Sequence, residues 1–143
     1  MVSLEHLEAV VSEFMQLYDI SAPPIPVERM LQSPRQGMWD EVDVSKMSST
    51  FIKVTPQYSP RMSLARLLAR NIAGSHWGKE RGLAALTADE SMIHTFARML
   101  VMPSDLIMQL NKAARTPHLL SLHFEVPEED AGKRLEELGA SIS

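Results

Sequence analysis

Nine prolines cut the chain into short stretches, and within most of these stretches apolar residues return every three or four positions. Proline has no amide hydrogen and its ring collides with the preceding helical turn, so each one marks where a helix starts or must stop. A chain written this way builds from short helices. Leu4, Leu7, Val10, Val11, Phe14, Leu17 and Tyr18 trace one apolar face of a first helix opening after Ser3. Pro23, Pro24 and Pro26 end it. Val27, Met30 and Leu31 suggest a short second helix with Pro26 at its first position, closed by Ser33-Pro34.

The pattern changes from Gln36 to Thr55. Trp39, Val42 and Val44, then Thr50, Phe51, Ile52 and Val54, are β-branched or aromatic residues in short runs, which predicts two or three strands and a small sheet. Ser59-Pro60 then caps a helix carrying Leu64, Leu67, Leu68 and Ile72 to about Gly74, and the glycine-containing stretch to Leu86 reads as loop. Thr87 and Glu90 have capping-box spacing ahead of Ile93, Phe96, Ala97, Leu100 and Val101. Pro103 interrupts, Leu106, Ile107 and Leu110 mark another helix, and 117–124 and 127–138 read as two last helices, the second ending at Gly139. The expected class is α+β, mainly helical, with a main domain over 1–115 and a C-terminal segment over 116–143 packed on it.

With 143 residues, 45% of them apolar and 22% charged, the chain has the composition of one globular domain. It has no cysteine, which excludes disulfides, thiolate metal sites and cysteine nucleophiles. No apolar run approaches the length of a membrane span, and Glu5, Glu8 and Glu13 stand where a signal peptide would need positive charge, so a soluble cytoplasmic protein is expected. The net charge of −4 is unevenly spread. Residues 1–60 hold eight acids and four bases, 61–115 hold four and eight, and 116–143 hold six and two. The basic middle is expected to form the central helical layer.

Three segments in order resemble the ImmA/IrrE-type metallopeptidases, small zincin-like proteins. Where the family has Arg-Phe-Thr-Leu-Ala-His-Glu-Leu-Gly-His, this chain has Arg61-Met62-Ser63-Leu64-Ala65-Arg66-Leu67-Leu68-Ala69-Arg70. Glu90-Ser91-Met92-Ile93-His94-Thr95-Phe96-Ala97 through Leu100-Val101-Met102-Pro103 matches a second family segment, and Leu122-His123-Phe124-Glu125-Val126 with Ala131 to Gly139 resembles a closing helix-turn-helix-like segment. The resemblance implies a zincin-like architecture with a small β-sheet, and it puts Arg66, Leu67 and Arg70 at the positions of the two zinc histidines and the general base, and Glu90 at that of the third ligand.

Those replacements remove the chemistry. A guanidinium offers no lone pair and repels a divalent cation, and leucine cannot take a proton from metal-bound water. The five histidines, His6, His76, His94, His118 and His123, contain no pair spaced by four. The implied protein is a catalytically inactive relative without a cofactor, in which Arg66 or Arg70 bridges to Glu90 where zinc would sit. Two plainer readings stand beside this one: Glu90 as a capping residue only, and both arginines as solvent-facing. A different class of reading keeps an active metal-dependent hydrolase, with zinc at a rebuilt site of His76, Glu90 and His94.

Family peptidases are often paired with helix-turn-helix repressors, so the resemblance implies a protein or peptide partner of that kind. DNA binding through 119–139 is the competing reading, disfavoured because Glu128, Glu129, Asp130, Glu136 and Glu137 outnumber Lys133 and Arg134. No phosphate-binding glycine loop or nucleophile elbow is present. The ten methionines read as core filling, or as part of an adaptable groove.

Overall fold

A computed structural model describes residues 2–40 and 59–142. Helix α1 (Leu4–Leu17) opens on Ser3, whose hydroxyl accepts from the His6 amide at 3.1 Å, and turns Leu7, Val10, Val11, Phe14 and Met15 inward. Helix α2 (Val27–Gln32) follows Pro26, which is its N-cap and not its first turn. Helix α3 (Ser59–Gly74) buries Leu64, Ala65, Leu68, Ala69 and Ile72, and α5 (Glu90–Val101) buries Ile93, Phe96, Ala97, Met99 and Leu100. Among the described residues these two helices make the most extensive contact, which places the basic middle of the sequence at the centre of what is described.

Between them the chain is not the expected loop. Helix α4 (His76–Glu80) starts one residue after α3 ends, and a 3-10 turn (Ala84–Ala88) follows. The sharp corner depends on Gly78: a Cβ there would sit 2.0 Å from the Ile72 carbonyl oxygen. The capping assignment also changes. Asp89, not Thr87, caps α5 by accepting from the Met92 amide at 3.2 Å, while the Thr87 hydroxyl donates to the Ala84 carbonyl. Helix α6 (Ser104–Met108) follows Pro103, and α7 (Pro117–Phe124) has the expected bounds. Helix α8 (Glu128–Ile142) runs through Gly139, which therefore terminates nothing.

The described residues are entirely helical apart from turns and connections, which overturns the α+β class and the small sheet. Of the residues assigned to strands, 41–55 lie outside the described residues. Trp39 lies within them, and it is no strand residue. Its ring joins Phe14 (6.3 Å between centroids) in an aromatic group with Tyr18 and Trp77, and its indole N–H donates to the Leu31 carbonyl at 3.0 Å. A bulky aromatic raises strand propensity because it packs well on a surface, and a helical surface serves equally.

The C-terminal segment is bolted to the rest by arginines. Arg134 of α8 is fully buried and forks onto the Glu8 carboxylate of α1 at 2.6 and 2.7 Å, with its Nε donating to the Met102 carbonyl at 2.9 Å. Arg98 of α5 pairs with Glu137 of α8. Arg61 of α3 donates to the carbonyls of Ile25, Phe124 and Glu125, closing the end of α7, where Glu125 takes a left-handed conformation (φ 56°). Among the described residues every buried side-chain nitrogen or oxygen has a hydrogen-bond partner.

Candidate functional site

Helices α3 and α5 pack so that the outer stripe of one meets the first turns of the other. On α3, Arg66 and Arg70 are one turn apart, with Leu67 partly buried against the core between them. On α5, Glu90 stands in the first turn and His94 one turn on. Arg70 forks onto Glu90: Nη2 donates to Oε2 at 2.7 Å and to Oε1 at 2.9 Å, and Nε donates to Oε1 at 3.1 Å. The expected bridge is present, made by Arg70. The pair lies at the surface, with the two side chains 44% and 67% exposed.

Arg66 takes a different course. Its Nη2 donates to the Ser63 hydroxyl at 3.1 Å, and among the described residues it bonds no carboxylate. Its charge is nevertheless felt on this face. The Arg70 hydrogen bonds hold the Glu90 carboxyl below the usual range, with smaller help from the charges of Arg70, His94 and Arg66. Burial, followed by the charge of Arg66, pushes the His94 imidazole down, and Glu90 opposes the shift. On α8, burial raises the Asp130 carboxyl against the pull of Arg98, Lys133 and Arg66.

Of the three residues of the rebuilt metal site, two come together. His94 Nε2 stands 3.6 Å from Glu90 Oε2, whereas His76 Nε2 stands 3.5 Å from Glu80 on its own helix. Among the described residues no three His, Asp or Glu side chains are grouped closely enough to hold a metal ion. The donor set at the positions that the sequence resemblance equates with zinc ligands does not suit zinc either. Both oxygens of Glu90 are engaged by a guanidinium that remains charged at any ordinary pH and adds positive charge where a cation would have to bind.

Beyond Arg70 lies a shallow cleft of about 380 Å³ bordered by Trp39, Asp40, Asn71, Ser75 and His76. Sequence reading had no access to it, because Trp39, in the segment after α2, and Asn71, on α3, share no motif and border one cleft only through tertiary packing.

The last two helices expected from the sequence, α7 and α8, both form and pack on one another, joined by residues 125–127. Arg134, counted with Lys133 as the basic residues of its second helix, points into the core, and Lys133 lies 3.3 Å from Glu129. Among the methionines, Met99 and Met102 are buried, Met92 is half-buried and Met108 is 44% exposed. No helix among the described residues is long and apolar enough to cross a membrane. Comparison with protein-family models, curated proteins and solved structures gives no match.

Proposed function

We propose that this chain is a degenerate relative of the ImmA/IrrE-type metallopeptidases that cuts nothing and acts as a regulatory module by binding another protein. One observation carries the reading. The Arg70 guanidinium and the Glu90 carboxylate, at two of the positions that the sequence resemblance equates with zinc ligands, meet in a forked ion pair. An arginine in place of a histidine is not a neutral loss, since it satisfies the remaining carboxylate and leaves a surface that recognises without reacting. The partner class, a helix-turn-helix repressor, rests on analogy with the family's habits, and fold or family alone does not fix function.

Restoring the motif tests the reading. The triple variant Arg66→His, Leu67→Glu, Arg70→His is expected to take up one zinc ion per chain in equilibrium dialysis, and to lose it when Glu90→Ala is added. The unaltered protein is expected to bind no zinc stoichiometrically and to leave peptide substrates intact. Stoichiometric zinc in the unaltered protein would overturn the reading in favour of a working hydrolase. A triple variant that folds and takes up none would show that these positions are not those of the family's metal site.

A further inference from the structure

Resting on the binding-module reading, we propose that the outer face of α7 is a docking surface for a basic amphipathic segment of the partner. This helix carries leucines on both sides. Leu120 and Phe124, one turn apart, are fully buried against the rest of the fold. Leu122 stands two residues from each of them and so on the opposite side. It is 54% exposed, the most exposed large apolar side chain among the described residues, and Leu119 beside this face is only half-buried. A helix that is apolar on both sides is one that packs on both sides, and the described residues cover only one of them.

The charge around that face says what covers it. His118, one turn before Leu122 on the same side, has its Nδ1 3.7 Å from Glu128 Oε2, which brings the start of α8 beside the exposed leucine. Glu128 and Glu129 are exposed there, and Glu136 is exposed two turns beyond Glu129. Of the two bases on α7 and α8, Arg134 is buried against Glu8, and Lys133, 3.3 Å from Glu129, offsets a single acid. Glu137 faces Arg98 on the other side of α8 and takes no part. Leucine rimmed by unbalanced carboxylates is complementary to a helix that presents an apolar stripe flanked by lysine or arginine. The same rim repels the phosphates of a nucleic acid or an anionic lipid surface.

The test uses the full chain and three fluorescein-labelled peptides: a helical peptide of leucine and lysine with the leucines on one face, the same peptide with serine for leucine, and the same peptide with glutamate for lysine. The leucine–lysine peptide is expected to bind and to shift the backbone amides of α7 and of the first turn of α8. Its affinity is expected to fall by about tenfold in Leu122→Ser, to fall and lose its salt dependence in Glu128→Gln with Glu129→Gln, and to stay unchanged in Leu17→Ser, a control leucine exposed on α1. The proposal is overturned if that peptide does not bind, if Leu122→Ser binds it as tightly while keeping its helical circular-dichroism spectrum, or if Leu17→Ser weakens it equally. Equal binding of the serine peptide, which is charge attraction alone, or of the glutamate peptide overturns it as well. Zinc uptake by the restored-motif variant is read separately, so a failure here with success there removes only this docking surface.

Discussion

Arg134 and Glu8, 126 residues apart in the sequence, form a two-pronged ion pair that joins the last helix to the first. The arginine is wholly buried and the glutamate side chain is 14% exposed. Removing one partner of such a pair strands a charge in a poorly solvating interior, which costs about 3–5 kcal/mol. Arg134→Met is expected to lower stability by about that amount in urea unfolding, and Glu8→Leu combined with Arg134→Met to recover much of it. A single-variant loss of less than about 1 kcal/mol would mean that water reaches the pair.

Arg70 also forks onto its carboxylate, through Nε and Nη2 and at the surface, where solvent screens the attraction to Glu90 and leaves little net gain. Glu90→Gln is expected to leave the thermal midpoint where it is in the unaltered protein. A marked drop in calorimetry would show that the pair is structural and not a surface feature of the proposed binding face.

Glu13 has its carboxyl held below the usual range chiefly by hydrogen bonds from Arg81, reinforced by that residue's charge and opposed by burial. A carboxyl more acidic in the folded than in the unfolded chain adds stability that is present in full above the unfolded value, about 4.3. That contribution is lost as the pH falls through the folded value. Glu13→Gln is expected to be less stable than the unaltered protein at neutral pH and to converge with it in acid. A constant gap across the titration would show that the Glu13 carboxyl is no more acidic in the folded than in the unfolded chain.

Gly78 and Gly139 make opposite predictions for the same change. An alanine Cβ at 78 meets backbone, the Ile72 carbonyl oxygen at 2.0 Å, so α3 and α4 must separate. Gly78→Ala is expected to cost about 3 kcal/mol or more. Gly139 lies within α8 with nothing inside 4 Å of a Cβ, and Gly139→Ala is expected to add about 0.5–1 kcal/mol. Equal effects at the two positions would rule out the packed corner at α4.

Each helix that the sequence predicts rests on signals that act within a few residues: Ser3 capping α1, Pro103 separating α5 from α6, Pro117 opening α7. Signals of that range also have alternatives close by, which is why Asp89 took the cap expected of Thr87 and why Gly139 was carried through α8. The bridge from Arg70 to Glu90 was legible because the family resemblance supplied positions that spacing alone does not connect. Nothing comparable marked Arg134, which reads as one more surface cation of an acidic helix.

The sequence by itself determined where most helices form, because proline geometry, capping and apolar periodicity are settled by neighbours along the chain. Only the tertiary structure decided which guanidinium meets which carboxylate, and whether an aromatic such as Trp39 packs in a strand or against a helix. Charge and bulk carry no period of their own. Their partners are selected when distant helices exclude water from between them, and that selection leaves no mark on the local order of residues.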